Sequence, residues 1–429
     1  MINISLINLG CAKNIVDSEA ILNLFSDKAK FLVTSDLNKA DLIILNTCAF
    51  IHDAENESFD YINEISSLGK KTIVVGCLVE KYHEELKEKF PKINLFVGFK
   101  DLFKLPQLVS RLLNDNICNE FNIFERMSGQ DDFSTFVKIS EGCNHNCGYC
   151  IIPKLRGKYY SYKLDDIVNY VKKRITDGVK DFTFIAQDTS YYGLDFPGEN
   201  INLSSLLKEI DDLEGMEMFR VLYLYPSEVS DELIETFSKA KHLLPYFDLP
   251  IQHASDKVLK LMNRNDSYES LASLVKRIKE KIPNAILRCT IIVGYPGETE
   301  TDFEILKKFL QENKFHHVGV FTFSNEKGTK AYTLPNHVDL DIAERRKVQL
   351  MNLQKKISYQ LNENMVGKTM KGIVIGIDGT KYKLRTVFNA PDGIDGSVYM
   401  ESKKEHKLGD IVTVKITDAF VYDLYSIEL

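Results

Sequence analysis

The sequence has no surplus of positive charge: 54 Lys and Arg stand against 61 Asp and Glu, giving a net charge of −7 and a pI near 5.8. This excludes a surface that coats nucleic acid generally, although a mildly acidic total can still hold a local basic patch. Long apolar runs are missing too. The N-terminal MINISLINLGCAKN lacks a cationic start followed by a sustained apolar stretch, and no later run is long enough to cross a bilayer. A cytoplasmic chain is expected, with no membrane partner. Internal repeats and low-complexity segments are also absent. With 44% hydrophobic and 27% charged residues, the composition is that of a globular protein rather than a disordered or fibrous one. A length of 429 residues implies roughly three domains at about 150 residues each.

Eight cysteines are present. In a reducing compartment they do not form a disulfide framework, so their placement reads as metal ligation, reactivity or burial. The first 115 residues alternate the short apolar runs INISLIN, DLIILN, KTIVVG and INLFVG with stretches of helical periodicity. This predicts a small α/β domain with a parallel sheet over 1–115. The polar segment FNIFERMSGQDDFS reads as a linker.

The alternation then resumes on a larger scale over a central domain, 129–360. Six runs, STFVKIS, DFTFIAQ, RVLYLY, YFDLPIQ, AILRCTIIVG and HHVGVFTFS, are separated by helical stretches. One of these carries Leu164, Ile167, Val168, Val171 and Ile175 on a single stripe. Six strand-helix units predict a partial (β/α)6 barrel, whose chemistry collects at the C-terminal ends of its strands. Ala343 to Asn364 reads as a charged connecting helix. The last segment, 364–429, turns to β-rich runs broken by Gly and Asp and predicts a small β-barrel.

The strongest motif is EGCNHNCGYC, which sets Cys143, Cys147 and Cys150 in a CxxxCxxC array just past the first barrel strand. An iron-sulfur cube takes four ligands, so three cysteines leave one iron open to bind something else. A structural zinc site is the bland alternative. It wants four protein ligands in paired spacing, and the loop offers only His145 as an obvious extra. Three further cysteines, Cys11, Cys48 and Cys77, each follow a predicted strand of the N-terminal sheet. Strand ends on one edge of a parallel sheet converge, so these three also read as one ligand set rather than as separate core thiols. Cys118 and Cys289 fit neither pattern and read as structural.

CxxxCxxC after the first strand of a partial barrel resembles the radical S-adenosylmethionine superfamily. Together with the N-terminal triad and the C-terminal barrel, which is similar to a TRAM domain, it resembles the methylthiotransferases over essentially the whole chain. The resemblance implies two [4Fe-4S] clusters and S-adenosyl-L-methionine as cofactors. The barrel cluster would generate a 5'-deoxyadenosyl radical and the auxiliary cluster would carry the sulfur. It further implies cofactor-binding roles for Tyr149 before the third cysteine, Gln187 and Asp188 after the second strand, Gln252 after the fourth, and Gly294 and Gly297 in IVGYPGET. No side chain is assigned as acid or base. An electron donor and a sulfur source are implied as partners.

Within that family, Gln187-Asp188 and Gln252-His253-Ala254 resemble the branch acting on an aspartate of small-ribosomal-subunit protein 12, rather than the branch acting on a modified adenosine of transfer RNA. From Asn364 onward, nine Lys or Arg balance nine Asp or Glu, so strong specific RNA binding is not expected. Two rivals are weaker. An RNA-binding protein with a structural metal leaves six strand-end cysteines unexplained, and an electron carrier calls for four cysteines per cluster. One departure stands out: Tyr162 occupies a position where the family generally has arginine.

Overall fold

Short aliphatic runs bounded by Gly, Asn and Asp become strands in this chain, and the amphipathic stretches between them become helices. The computed structural model describes residues 1–115, 119–127 and 132–429. Its contacts divide the chain into two units: unit 1 holds 1–131, 141–145 and 150–162, and unit 2 holds 132–140, 146–149 and 163–429.

Unit 1 begins with β1 (Ile2–Asn8), α1 (Ala12–Asn23), β2 (Phe31–Val33), β3 (Leu42–Thr47), α2 (His52–Ser67), β4 (Lys71–Gly76), α3 (Cys77–Lys89), β5 (Leu95–Gly98) and α4 (Leu105–Leu113). The strands form one parallel sheet in the order β2-β1-β3-β4-β5. All six residues of the central β3 are buried, because helices cover both faces of a parallel sheet. Ile43, Leu45 and Val74 pack toward Ile62, Ile65 and Leu86 on one face. Ile44, Ile73 and Val75 pack toward Ile21 and Val109 on the other. Four of the five strands are the runs expected from the sequence. The fifth, β2, is a three-residue edge strand with Leu32 and Val33 exposed, too short to register as a pattern.

Next come β6 (Ser134–Lys138), the two-residue strands β7 (Ser140–Glu141) and β8 (Tyr160–Ser161), and the short helix α5 (Ile152–Arg156). Unit 2 continues with α6 (Leu164–Thr176), β9 (Asp181–Ile185), α7 (Leu203–Asp211), β10 (Met218–Val221), α8 (Asp231–Lys239), β11 (Tyr246–Gln252), α9 (Asp256–Leu261), α10 (Tyr268–Lys281), β12 (Ile286–Val293), α11 (Glu300–Asn313), β13 (His317–Thr322) and α12 (Leu340–Glu363). The six long strands are parallel and form two three-stranded sheets, β10-β9-β6 and β11-β12-β13. The Leu224 N–H, just past β10, donates to Asp248 O on β11 at 2.9 Å and links the two sheets. This is the partial barrel. Of the stripe on α6, Ile167, Val168 and Val171 are buried, while Leu164 and Ile175 are half-buried.

Unit 2 ends in a closed barrel of β14 (Thr369–Asp378), β15 (Lys381–Thr386), β16 (Val398–Glu401), β17 (Ile411–Ala419) and β18 (Leu424–Glu428). Buried ion pairs and hydrogen bonds tie it to β6, β9, β10 and β12. Arg385 of β15 reaches Ser134 Oγ and Asp181 Oδ2, both at 2.8 Å. Arg220 of β10 donates to Asn389 O at 2.6 Å, and Arg288 of β12 meets Asp392 at 2.6 Å and Asp248 at 3.0 Å. Such charges cost several kcal/mol each when buried without a partner. The small barrel therefore completes the base of the large one, opposite the strand ends where chemistry is expected.

Cys289 is fully buried in β12, where burial pushes its thiol well up, as expected of a structural cysteine. Cys118 lies outside the described residues, as does part of the expected linker. No helix among the described residues is long and apolar enough to cross a membrane.

Candidate functional site

The N-terminal triad is assembled by three strand ends of unit 1. Cys11 is the residue preceding α1, Cys48 follows β3 directly, and Cys77 opens α3 straight after β4. Cys11 and Cys77 thus stand at helix N-termini, where the unpaired N–H groups favour a thiolate. A buried amide network fixes the spacing of the loops. Asn14 donates to Asn46 Oδ1 at 3.3 Å and to Thr47 O at 3.0 Å, while Asn46 donates back to Asn14 O at 3.0 Å and to Ser18 Oγ at 2.9 Å. Thr47 Oγ1 donates to Val75 O at 2.6 Å, and Ser58 Oγ brackets the Cys48 backbone by accepting from its N–H and donating to its carbonyl. Glycine is required beside these thiols. At Gly10, with φ +99°, an added Cβ would come within 2.9 Å of Cys48 Cβ.

Arg156 carried no signal in the sequence that would place it in this site. It ends α5, only 4% of it is exposed, and it faces the triad within unit 1. Nη1 donates to Asp17 at 2.9 Å and lies 3.5 Å from Glu141, Nη2 donates to Asn14 Oδ1 at 3.1 Å, and the guanidinium stacks 3.9 Å from the Phe99 ring centroid. Its charge also favours the thiolate form of Cys77.

The three thiols respond differently to these surroundings. Burial pushes Cys48 up to about 11, and its neighbours Cys77 and Cys11 add to the rise. Cys77 is likewise raised by burial, with Arg156 opposing. Around Cys11, crowding by protein works upward, but Lys13, Arg156 and the backbone N–H groups of Asn14 and Lys13 outweigh it and hold the thiol below its ordinary value. This is notable because Cys11 is the one exposed residue of the three.

Tyr162, the departure from the family pattern, also lies in unit 1. It packs edge-on against Phe124 at 5.4 Å and Tyr160 at 5.5 Å. Burial and then the charge of Glu141 raise its hydroxyl well above the usual phenol range. An arginine here would stand near the same Glu141 and Asp17 that Arg156 neutralises.

In the CxxxCxxC segment, Cys143 and Cys150 belong to unit 1 and Cys147 to unit 2. The Cys143 N–H donates to Gly157 O at 3.3 Å, and the Ile152 N–H donates to Cys150 Sγ at 3.5 Å. Within unit 2 the segment is pinned at Gly148, whose N–H donates to Met262 O at 2.8 Å and whose carbonyl accepts from Ala331 N at 2.7 Å. A Cβ on Gly148 would meet the Tyr295 hydroxyl at 2.4 Å, so no larger residue fits. Burial raises the Tyr225 hydroxyl above the usual phenol range, Arg264 opposes, and Cys147 adds to the rise. A second buried arginine, Arg264, stacks 4.2 Å from the Tyr225 centroid, donates to Tyr149 Oη at 3.3 Å and pairs with Asp266 at 2.9 Å. Burial disfavours its charge, but Tyr149, Tyr225, Asp266 and Cys147 together raise it above the ordinary guanidinium value.

The remaining expected residues lie at the strand ends of unit 2. Gln187 is half-buried. Asp188 is buried, with Oδ1 accepting from Ser190 N–H at 3.0 Å and from Ser190 Oγ at 2.5 Å. Gln252, at the end of β11, has φ +66°, a strained value for a non-glycine residue, and its buried Oε1 has no hydrogen-bond partner among the described residues. The strained Tyr223, φ +65°, lies just past β10 and carried no sequence signal. Gly294 and Gly297 both have positive φ, and a Cβ on Gly294 would strike Ala343 Cβ at 2.5 Å. These two glycines therefore answer first to the protein's own packing. Glu298 Oε2 accepts from Gly294 N–H at 2.6 Å and Tyr295 N–H at 3.2 Å, and Arg346 holds its other oxygen at 2.9 Å.

Among the described residues, no three Cys, His, Asp or Glu side chains close on a point that could hold a single metal ion. A cube instead takes one thiolate per iron, so its ligands stand farther apart. Three free thiols and an adjacent buried cation fit such a cluster at the N-terminal triad.

Comparison with known proteins agrees with this geometry. Residues 137–310 match the family model described as Radical SAM superfamily, 3–98 match Uncharacterized protein family UPF0004, and 366–427 match TRAM domain. The chain is 43% identical to "Ribosomal protein uS12 methylthiotransferase RimO" of Clostridioides difficile (strain 630), covering 99% of this chain and 98% of that one. The proteins of the same name from Aquifex aeolicus (strain VF5) and Thermoanaerobacter sp. (strain X514) are 41% and 39% identical, covering 98% and 99% of this chain and 96% and 99% of theirs. The chain belongs to the RimO family. Among solved structures, the radical S-adenosylmethionine methyltransferase TsrM from Kitasatospora setae matches with a TM-score of 0.55 at 13% identity, covering 75% of this chain and 73% of that one. At that identity the likeness concerns the fold alone. Membership of the RimO family makes the chain a radical S-adenosylmethionine enzyme with iron-sulfur chemistry, as the cysteine spacing implied.

Proposed function

We infer that this protein inserts a methylthio group at Cβ of an aspartate in small-ribosomal-subunit protein uS12. The observation carrying this reading is 39–43% identity over nearly the full length of enzymes named for that reaction. When bound, the two clusters and S-adenosylmethionine supply the radical and the sulfur. The chain's contribution is to bind and orient them. Cys143, Cys147 and Cys150 are proposed as ligands of the radical-generating cluster, and Cys11, Cys48 and Cys77 as ligands of the auxiliary one. Three domains, 1–115, 129–360 and 364–429, divide the work.

Tyr149, Gln187, Asp188, Gln252, Gly294 and Gly297 are assigned to S-adenosylmethionine. Gln252 Oε1, buried and unpartnered, suits acceptance of a hydrogen bond from a ligand hydroxyl or ammonium. Asp188 fixes Ser190, whose Oγ in turn accepts from Tyr225 N–H at 2.9 Å, so it acts by holding the loop beside Cys147. An external electron donor and sulfur source complete the partners, and the reaction takes place in the cytoplasm. A target aspartate requires a pocket for one short side chain rather than a phosphate track, in keeping with the balanced charge of 364–429.

The test presents anaerobically reconstituted enzyme, S-adenosylmethionine and sulfide with a uS12 loop peptide and, in parallel, with transfer RNA carrying the modified adenosine. Mass spectrometry should find a methylthio increment on the peptide aspartate alone. Modification of the nucleoside with an untouched peptide would assign the chain to the other branch.

A further inference from the structure

Two carboxylates beside the N-terminal triad, Asp17 at 2% exposure and Glu141 at 0%, both face the Arg156 guanidinium. Arg156 is held by Asp17, Glu141, Asn14 and the Phe99 ring, so its direction is fixed. The same Asn14 Oδ1 that accepts from Arg156 lies 3.5 Å from Cys11 Sγ. The guanidinium thus stands one amide oxygen away from the Cys11 sulfur. A clamp needed only for packing would gain nothing from burying this charge, since a well-packed apolar group is commonly as stable as a buried ion pair.

Resting on the auxiliary-cluster reading above, we propose that Arg156 is a positioning residue that sets the reduction potential of the cluster held by Cys11, Cys48 and Cys77, favouring its reduced form. Hydrogen bonds to the ligating sulfurs and net local charge are the levers by which a protein sets such a potential. The reaction has a use for this. Joining a carbon-centred radical to a methanethiolate sulfur makes the C–S bond from the radical electron and one electron of the sulfur lone pair. One electron is left over, which the cluster held by Cys11, Cys48 and Cys77 would accept. A fixed buried cation one amide oxygen from the Cys11 sulfur would favour the cluster that holds that electron.

The test uses the full-length chain with Cys143, Cys147 and Cys150 changed to Ala, so that only the auxiliary cluster is read, titrated with dithionite and followed by electron paramagnetic resonance. Arg156→Gln should lower the reduced fraction at a fixed potential about tenfold, which is about 59 mV for a one-electron couple. Arg156→Lys keeps a cation facing Asp17 and Glu141 but cannot serve every partner of the fork, and should lower the reduced fraction by a smaller factor. If the Gln variant does not fold, the Lys variant alone decides. A folded variant with full iron and an unchanged midpoint overturns the proposal, as does a folded Lys variant that has lost its iron, since Arg156 would then retain the cluster rather than tune it. A parent protein without iron would instead refute the auxiliary-cluster reading.

Discussion

Unit 1 and unit 2 each bury an arginine beside cysteine, and the two arginines are surrounded differently. Arg156 faces two carboxylates and an amide network that reaches the Cys11 sulfur. Arg264 has one carboxylate, Asp266, and lies against two phenol rings beside a single thiol. The first environment gathers charge around a set of sulfurs. The second is an aromatic socket that holds a loop in one conformation, with Gly148 and Tyr295 completing it. Cysteine number alone makes the two triads look alike, whereas their neighbours separate a site suited to holding charge from one suited to holding a loop.

The largest effect that bears on this contrast comes from removing the barrel triad. Changing Cys143, Cys147 and Cys150 to Ala should leave about half the iron, because three thiolates hold each cube independently, and should abolish formation of 5'-deoxyadenosine. Loss of all iron from a folded variant would show that the six cysteines share one site. A smaller loss is expected from Arg264→Met. Asp266 would be left as an unpaired buried carboxylate, lowering the unfolding free energy by about 3–5 kcal/mol, as measured by urea denaturation. A change within about 0.5 kcal/mol would show that the aromatic socket does not depend on the cation.

The smallest effect concerns acid. His253 and His316 of unit 2 are each held down to about 3, mainly by burial, with Arg346 opposing and Asp302 favouring the charge of His253. A histidine kept neutral in the fold gives stability that is complete above its unfolded pKa of about 6.5. That stability is lost as pH falls from there toward the folded value. Between pH 6.5 and 5 each should cost the protein about 2 kcal/mol. His253→Gln should flatten that part of the profile, measured as the denaturation midpoint against pH. An unchanged slope would mean that His253 is already charged in the fold, paired with Glu298 at 3.9 Å.

Much of this architecture was legible in the sequence because it is periodic. Four strands of unit 1, six of the barrel and five of the small barrel are aliphatic runs with turn residues at their ends. The six candidate ligands stand out because each triad sits immediately after a strand. The edge strand β2 did not register, having one buried residue in three. Arg156 and Arg264 were hidden for another reason. An arginine in a helix or loop reads as a solvated side chain, and what buries these two is pairing across long sequence separations, as between Arg156 and Asp17 or Arg264 and Tyr149. The buried ion pairs under the barrel were invisible on the same grounds, since Arg385 meets Asp181 only once both barrels have folded. Gln252 was placed at a strand end by its motif, but its strained backbone and unpartnered Oε1 are properties of the fold.

The central claim, that one triad makes the radical while the other supplies the sulfur, is tested most directly by the Cys11, Cys48 and Cys77 triple Ala variant. It should be incubated anaerobically with S-adenosylmethionine, sulfide, reductant and the uS12 loop peptide, with both products measured in the same sample. The account predicts 5'-deoxyadenosine without any methylthio increment on the peptide; full methylthio transfer by this variant would contradict it.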